Sequence, residues 1–544
     1  MAIHATDIAE LRQRIARHLD RPSLKACSLV CKAWYLDFHS VLWERFSYEM
    51  PKRCLKSPEQ RAAWLDIVSK KAHLFRHIHH NNSRKDIVPE LRDILLDRCH
   101  DLITIEAFIT SVKPRTPVWN PVYWEETLRP LIEQNKISLR RLQLRDVNWI
   151  PVITSLHLPG LLASLSRLQS LELGLSSTLE DLLTVLEACP ISLECFGLLH
   201  ANVQRKQSNP DYSNPHITHS LVNQAAAAAP SLRLKHLSIH GWYYDGTTVD
   251  LLSYLAGHSL ESLQVDAIIV NPFSLQMSPT LRDTPSRLTD LHIKNRRGYD
   301  RVFLMLLDAI PPQQLRNVHL AAMNVECASM LVQKHHQSLE SLVTEFVRGH
   351  ARVLGDILAT CCNLKYLKFG AEPFVDIRAL VDPQRPWVCS ELEVFEGYFG
   401  LPPSLPPPSI VSNQEEDRKV IPTDQVENLF MQRVGQLTKL RRLVQSTDAM
   451  GYFFSDHPLD MEADAMTWTL SSGLGHLADL VNLEWLEFED GDLPAGIGIP
   501  ELLFIKQHWH GLQGLACYNI DAAEVQEWLA IEWPELEVKL RHGL

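Results

Sequence analysis

One short apolar pattern returns along most of the 544-residue chain and constrains its fold more than any other feature. The pattern is Leu-x-x-Leu-x-Leu, in which Ile, Val or Phe replaces some of the leucines. Its clear copies begin at Leu139, Leu168, Leu234, Leu260, Leu288, Leu315, Leu364 and Leu483. Its weaker copies begin at Phe75, Leu102, Leu193, Leu339, Leu392, Leu440 and Leu512. From Leu234 to Leu392 the copies start at nearly even intervals, within the roughly 20 to 29 residues that one leucine-rich repeat occupies, which indicates a tandem array.

The Leu-x-Leu step predicts a short strand with one apolar face, because alternate side chains of a strand point to opposite faces. A single copy cannot cover that face, so the copies are expected to stack against one another. The stretches between copies, such as 179–189, carry apolar residues at helical spacing and predict return helices. The expected fold is therefore α/β: a leucine-rich-repeat solenoid over residues 73–544, with parallel strands on the concave side and helices on the convex side.

Three intervals between copies are longer, and each contains a polar or proline-rich insertion, near residues 200–225, 401–424 and 447–470. Insertions of this composition are expected in loops. The segment 401–424 begins Leu-Pro-Pro-Ser-Leu-Pro-Pro-Pro, which favours polyproline conformation. Two interpretations of this segment stay open: a ligand for a proline-recognising domain, or a solvated loop.

The charge balance bears on which partners the chain can bind. The formal net charge is -12 and the pI is near 6.1, so the chain has no global positive field that would attract phosphates or anionic lipids. Nucleic acid is therefore not an expected partner. The longest apolar runs, such as 302–310, are shorter than the roughly 20 apolar residues that cross a bilayer, so no membrane partner is expected either.

The 11 cysteines lie at irregular spacing, and the sequence shows no secretory leader. Both observations predict a reducing compartment, the cytoplasm and/or the nucleus. Several cysteines directly precede predicted strands: Cys99, Cys189, Cys361 and Cys362. We expect them in tight buried corners rather than as metal ligands, because the C-x-x-C and H-x-x-x-H spacings of zinc sites are absent.

Four histidines close together, His73, His77, His79 and His80, are the strongest candidate metal ligands. The alternative, which we expect, is that His77 and His79 flank a strand residue, Ile78, and point to solvent. Glycine-rich phosphate loops, nucleophile elbows and paired-carboxylate motifs are absent from the sequence. The sequence therefore predicts a protein that is not an enzyme, with no catalytic residues, no metal and no cofactor.

The segment 1–48 differs from the repeats in the spacing of its apolar residues. Apolar residues from Ile8 to Leu19 have helical spacing, a turn follows at 20–23, and a second set from Leu24 to Trp34 again lies three or four residues apart. The pattern predicts a small helical module over residues 1–48, joined to the repeats by a helical linker over 49–72. So small a module buries little surface, so it needs a partner or the adjoining solenoid for stability.

The module resembles an F-box. The resemblance covers about residues 5–48 and lies in Ile15-Ala-Arg-His-Leu19-Asp20, in Leu24-Lys-Ala-Cys27-Ser-Leu-Val30-Cys31-Lys32-Ala-Trp34 and in Leu42-Trp43. The family's usual opening, Leu-Pro-x-Glu-Ile, corresponds here to Ile8-Ala9-Glu10-Leu11, which lacks the proline. An F-box followed by leucine-rich repeats is similar to the F-box/LRR proteins of fungi and animals.

This resemblance implies a non-catalytic subunit of a ubiquitin ligase complex. In the family, the F-box docks on the Skp-type adaptor of a cullin ligase, and the repeats bind the substrate protein for ubiquitin-dependent degradation. The implied partners are therefore the Skp-type adaptor, the cullin ligase subunits and an unknown substrate protein. The alternative is a non-catalytic leucine-rich-repeat scaffold or inhibitor with no ubiquitin role, because the repeats would look the same in either case.

The resemblance assigns adaptor binding, or the helical core that supports it, to Leu11, Ile15, Leu19, Leu24, Val30, Trp34 and Trp43. The sequence does not divide these residues between the two roles. The alternative is that the whole set is the core of a helical cap on the first repeat, since terminal repeats need such a cap.

Substrate-binding candidates are the residues that alternate with the buried positions of each strand, since these point to the concave side. The selected set is Arg141, Arg145, His240, Lys294, Tyr366, Lys368, Tyr398, Trp485, Glu487 and Glu489. Its early members are basic and its late members are acidic and aromatic, which predicts a partner of the reverse polarity. The alternative for any one position is an ordinary solvated charge.

Overall fold

The computed structural model describes residues 9–47, 57–80, 88–108, 110–113, 116–119, 121–145, 157–174, 184–199, 233–244, 259–269, 287–294, 300–347, 352–371, 375–382, 384–401, 423–445, 466, 468–488, 497–518 and 523–541. The chain divides into two compact units: residues 1–260 with 266–284, and residues 261–265 with 285–544. Each unit is an α/β assembly built on parallel strands, which confirms the predicted α/β class and the parallel strands.

Seven parallel strands make a ladder in the described part of the first unit. They are β1 (Arg45–Ser47), β2 (His77–His80), β3 (Thr104–Phe108), β6 (Arg141–Arg145), β7 (Ser170–Gly174), β8 (Cys195–Leu199) and β9 (His236–Tyr244). In this order, each of the seven strands pairs in parallel with the following one. A hairpin of β4 (Thr110–Lys113) and β5 (Thr116–Trp119) follows β3.

Helices return the chain between the strands of this unit. They are α4 (Pro58–Lys71), α5 (Pro89–Arg98), α6 (Pro121–Tyr123), α7 (Arg129–Gln134) and α8 (Leu158–Ser164), with a π-helical turn at Trp124–Leu128. Prolines begin α4 and α5, where the missing N–H would have no partner in the helix. The Ser57 hydroxyl accepts a hydrogen bond from the Gln60 N–H and so caps α4.

Three helices precede the ladder of the first unit: α1 (Ala9–His18), α2 (Arg21–Cys27) and α3 (Lys32–Glu44). The Asp20 carboxylate caps α2 by accepting a hydrogen bond from the Ser23 N–H at 2.9 Å. Helix α3 ends at Glu44, and the next residue begins β1. The ladder therefore starts inside the segment 1–48 that the sequence predicts as a helical module.

Ten parallel strands make the ladder in the described part of the second unit. They are β10 (Ser262–Ile269, of which 262–265 belong to this unit), β11 (Asp290–Ile293), β12 (Asn317–Met323), β13 (Ser341–Val347), β14 (Tyr366–Ala371), β16 (Val394–Gly397), β18 (Arg442–Gln445), β19 (Trp485–Phe488), β20 (Gly514–Tyr518) and β21 (Glu537–Arg541). Each pairs in parallel with the next. Two short strands, β15 (Val375–Asp376) and β17 (Phe399–Gly400), pair separately.

Return helices also connect the strands of the second unit. They are α9 (Asp300–Ala309), α10 (Val325–His335), α11 (Arg352–Leu358), α12 (Thr423–Gly435), α13 (Ile499–His508) and α14 (Ala523–Glu532), with 3-10 turns at Ile377–Ala379 and Leu474–Leu477. The Asn324 side chain caps α10 by accepting from the Cys327 N–H.

The apolar pattern identifies the core of both ladders. All three apolar residues of each clear copy are buried, except Ile293, which is half-exposed. The first residues of the weaker copies are buried as well. Neighbouring copies are in register, so that Leu142 lies beside Leu171 and Leu291 beside Val318. Each unit therefore has the solenoid-like arrangement that the repeat predicts.

Where a strand begins, backbone hydrogen bonds connect its repeat, which we also call a coil of the ladder, to the preceding repeat. The N–H groups of Arg140 and Arg141 both donate to the Ile103 carbonyl, at 2.9 and 3.0 Å. The next strand repeats this arrangement, with Gln169 and Ser170 both donating to the Arg140 carbonyl. These hydrogen bonds to the preceding repeat thus fix the position at which each of these strands begins.

In two coils, a buried polar side chain makes further hydrogen bonds to the backbone. Asn135, four residues before Leu139, accepts from the Leu102 N–H and donates to the Cys99 carbonyl, each at 2.8 Å. His335 has the corresponding place in the second unit, four residues before Leu339. Its Nδ1 accepts from the backbone N–H groups of Gln314 and Leu315, both at 3.4 Å.

Two features of the ladders differ from the sequence prediction. Strands β1 and β21 lie outside the copies identified from the pattern, and they carry Phe46 and Val538 at the position of the second leucine. The predicted loop insertions fall almost wholly outside the described residues, as does the first part of the predicted helix at 179–189. Among the described helices, none is both long and apolar enough to span a membrane.

Candidate functional site

The N-terminal helices have a small core of their own. Ala16, Leu24 and Phe38 are buried, and Trp34 stacks on Phe38 with a centroid distance of 5.1 Å. An ion pair at 2.7 Å between Arg12 and Asp37 joins α1 to α3 at the edge of this core. This core positions the remaining apolar side chains of the module at its surface.

Large apolar side chains are concentrated on the surface of α1 to α3. We call this set the exposed module patch: Leu11, Ile15, Leu29, Val30, Tyr35 and Leu36. Leu29 is 77% exposed and Val30 is 63% exposed, in the loop between α2 and α3. Single exposed apolar residues are common, but a concentration of six between Leu11 and Leu36 is typical of an interaction surface.

The structure places the seven predicted adaptor residues in three different surroundings. Leu11, Ile15 and Val30 belong to the exposed module patch, whereas Leu24 is buried and Leu19 and Trp34 pack on the module core. The seventh residue, Trp43, has a different role, because its ring stacks on Phe75 of the second coil. Leu29, Tyr35 and Leu36 of the exposed module patch are not among the seven predicted residues.

A cleft of about 680 Å³ lies between the N-terminal helices and the first strands of the same unit. Its lining includes Arg17 and Arg21 from the helices and His77, His79 and Glu106 from β2 and β3. His79 Nδ1 lies 2.9 Å from a Glu106 carboxylate oxygen, and His77 Nδ1 lies 3.0 Å from the Thr104 hydroxyl. Burial, more than the nearby charges, lowers the pKa of His77.

The predicted histidine cluster is divided by the strand. His77 and His79 are half-exposed on one face of β2, as expected, while Ile78 and His80 are buried on the other. His80 Nδ1 lies 2.6 Å from the Tyr123 hydroxyl, and burial lowers the pKa of His80 to about 3. Among the described residues, no group of three or more His, Cys, Asp or Glu side chains is arranged to hold a metal ion.

The corner cysteines lie as predicted in three of four cases. Cys99, Cys189 and Cys361 are buried, whereas Cys362 is exposed. Burial raises the pKa of each buried thiol to about 12. A thiol with so high a pKa stays protonated at neutral pH and is a poor nucleophile.

The open face of each ladder, defined as the side chains that alternate with the buried apolar ones, carries paired charges. In the first unit, Arg141 binds Glu172 at 2.9 Å, and Gln143 also donates to Glu172. Arg141 also lies 4.0 Å from Glu106. The Arg141 guanidinium therefore lies between two carboxylates, so its charge is partly neutralised within the open face.

The open face of the second unit brings predicted residues together on neighbouring strands. Lys368 on β14 and Arg442 on β18 both bind the carboxylate of Glu396 on β16, at 3.0 and 2.6 Å. Burial, and secondarily the charge of Glu396, raise the pKa of Tyr366 beside them. Arg442 also lies over the ring of Trp485 on β19, 5.6 Å from its centroid.

Glu487 is a predicted substrate-binding residue, but its side chain is buried. The indole N–H of Trp485 donates to a Glu487 carboxylate oxygen at 3.2 Å, so Glu487 orients the Trp485 ring. Glu396 is buried too, with 8% of its side chain exposed. Of the acidic side chains on this part of the open face, Glu396 and Glu487 are therefore buried, and they interact with cations and with the Trp485 indole, respectively.

The other predicted substrate residues lie apart from this group or outside the described side chains. In the first unit, His240 Nε2 lies 2.7 Å from the Ser238 hydroxyl. In the second unit, the Lys294 N–H donates to the Val265 carbonyl at the end of β11, and Tyr398 follows β16. Glu489 and the Arg145 side chain are outside the described part of the structure.

Comparison of the sequence with protein-family models finds no match, and comparison with curated proteins finds none either. The resemblance of the module to an F-box thus stays a prediction from its residues.

Proposed function

We propose that the chain is the substrate-recognition subunit of a Skp–cullin–F-box ubiquitin ligase in the cytoplasm and/or the nucleus. Its N-terminal helices dock on the Skp-type adaptor, and the open faces of its repeats bind the substrate protein. The ligase chemistry belongs to other subunits. The observation that carries the proposal is the exposed module patch on a three-helix module that directly precedes a leucine-rich-repeat ladder.

The positions of the apolar side chains support docking through the module. The core of α1 to α3 is already filled by Ala16, Leu24 and Phe38, so the module does not need Leu29 or Val30 for its own packing. Covering large apolar side chains on association contributes about 25 cal/mol for each Å² removed from water. An adaptor surface that covers the exposed module patch would therefore bind without any rearrangement of the helices.

The second candidate function is a scaffold or inhibitor in which the module is only a cap. It is favoured by the continuity of α3 with β1 and by the stacking of Trp43 on Phe75, at a centroid distance of 6.3 Å. A cap, however, has no use for six exposed apolar side chains. Binding of the adaptor distinguishes the two functions.

We expect the double substitution Leu29→Asp and Val30→Asp to lower the affinity of the full chain for a Skp-type adaptor by about tenfold or more. Two exposed apolar contacts would be replaced by charges that must be desolvated on docking. The test is co-expression of the chain with the adaptor, followed by co-purification and titration calorimetry. Substitutions of Leu24 or Trp34 are unsuitable, because both residues pack in the module core.

The matched control is Val481→Asp, because Val481 and Val30 are both 63% exposed and Val481 belongs to the second unit. This control should bind the adaptor like the unaltered chain. If the double variant and Val481→Asp bind equally well, or if the unaltered chain binds no adaptor, the ligase function is wrong and the scaffold function takes its place.

A further inference from the structure

The open face of the second unit exposes cations and aromatic rings. We call Tyr366, Lys368, Arg442 and Trp485 the cation–aromatic patch; they lie on β14, β18 and β19, with β16 between β14 and β18. The side chain of Arg442 is 46% exposed, whereas the carboxylate that it binds belongs to a side chain only 8% exposed. A partner would therefore contact the guanidinium, the ammonium and the rings rather than Glu396.

The two buried carboxylates interact with the cations and with one ring of the patch. Glu396 accepts from both Lys368 and Arg442, and Glu487 accepts from the indole N–H of Trp485. The ammonium and guanidinium groups have further N–H donors that a single carboxylate does not use. These donors suit an additional carboxylate supplied from outside.

The ring of Trp485 is fixed in place by the neighbouring strand. A Cβ atom at Gly514 would lie only 2.0 Å from Trp485 Cζ3, so the ring occupies the space that any other residue at 514 would fill. Arg442 lies over the ring, and Glu487 holds its N–H. A ring held on three sides loses little conformational entropy on binding, which favours its use as an anchor.

We propose that the cation–aromatic patch binds an extended protein segment that combines carboxylates with an apolar or aromatic side chain. This inference rests on the proposed function as a protein-binding receptor and names the chemistry of its substrate. From β14 to β19 the patch spans three strand spacings, about 14 Å. A segment of about four extended residues covers that length, with acidic side chains at Lys368 and Arg442 and an apolar side chain at Trp485.

Towards β13 the charge of the open face changes. Glu345, at the end of the described side chains of β13, lies 3.8 Å from His319 Nε2 and is partly exposed. A carboxylate there would repel an acidic segment, so it marks one limit of the patch. The acidic segment is thus expected to run from β14 towards β19.

The test uses the full chain, with and without a Skp-type adaptor, and three fluorescein-labelled ten-residue peptide libraries. The first has Asp or Glu alternating with Leu, Phe or Trp at its four central positions, the second has Lys or Arg in place of the acidic residues, and the third has phosphoserine there. We expect the acidic library to bind at least about tenfold more tightly than the basic library. Arg442→Glu and Lys368→Glu should each lower that binding by about tenfold.

The role of Trp485 is tested by Gly514→Ala, which forces the ring to move, and by Trp485→Ala. Both variants should lower binding of the acidic library about fivefold or more, and peptides without the apolar residues should be unaffected. The matched control is Gly475→Ala, because a Cβ at Gly475 meets no atom within 4 Å. If Gly514→Ala fails to fold, Trp485→Ala alone decides this point.

The outcomes separate this proposal from the function on which it rests. Equal binding of acidic and basic libraries, binding of the phosphoserine library alone, or an unchanged affinity in Arg442→Glu each overturn the acidic-segment proposal. Adaptor binding is measured in the same samples. If the adaptor binds while the acidic library does not, the patch proposal is wrong and the receptor function stands.

Discussion

A chain carrying Gly397→Leu is expected to be less stable than the unaltered chain by about 3 kcal/mol, although the substitution restores the consensus of the repeat. Gly397 stands where the copy beginning at Leu392 should have its third leucine. The ring of Phe369, from the preceding copy, already fills that space, and a Cβ at Gly397 would lie 2.3 Å from Phe369 Cε2. Phe369 is fully buried, and because protein interiors are close-packed its ring is expected to move aside only at a cost in stability.

This loss is measured as the shift of the urea unfolding midpoint, followed by tryptophan fluorescence. Gly475→Leu is the control for adding a leucine side chain, because a Cβ at Gly475 has no atom within 4 Å. Combining Gly397→Leu with Phe369→Ala should cost about 1 to 3 kcal/mol less than the sum of the two single changes. Equal stability of Gly397→Leu and the unaltered chain would contradict the packing of Phe369 described above.

Acid is expected to loosen the coil that contains His335 before it affects most of the ladder. The imidazole is fully buried, and its Nδ1 accepts two backbone N–H groups, so a proton at Nδ1 would break both contacts. Burial, and secondarily Lys334, lower the pKa of His335 from 6.5 to about 4. In the unfolded chain the His335 imidazole takes up a proton near pH 6.5. The contribution of the neutral imidazole to the free energy of unfolding is therefore complete above that pH and declines as the pH falls towards 4.

The expected loss is about 2 kcal/mol at pH 5 and about 3 kcal/mol at pH 4. Hydrogen exchange of the Leu315 amide reports it directly, since this N–H donates to His335. After correction for the intrinsic rate, its protection should fall about 30-fold between pH 7.5 and pH 5. In His335→Asn, which introduces the residue found as Asn135 at the corresponding place of the first unit, this decrease should be absent. A decrease of the same size in that variant would assign the effect to other groups.

The ladders could be predicted because the apolar pattern that produces them lies within a short segment and is repeated along the chain. Each copy contains its own buried positions, and the spacing of copies alone shows that they stack. The first and last strands were missed because Phe46 and Val538 belong to copies with few leucines. Gly397 looks like a defect of its copy, because one copy does not show that a ring from the preceding copy fills the position.

The candidate site could be predicted only in part. The place of each residue within its copy of the pattern correctly predicts that Tyr366, Lys368 and Trp485 lie on the open face, because successive side chains of a strand alternate between its two faces. Accessibility depends on pairing with residues far along the chain, such as Glu396 with Arg442, and no single copy shows such pairs. For the same reason, helical spacing did not separate Leu24, which is buried, from Val30, which is exposed.

The pairing of β1 with β2 affects how the module can be separated from the repeats. Removing the segment 1–48 would delete β1 together with the three helices, and the backbone N–H and C=O groups of His77 to His79 would lose their partners. An unpaired strand edge of this kind recruits other chains. A truncated protein is therefore expected to self-associate, whereas one that begins at α3 keeps β1 paired with β2.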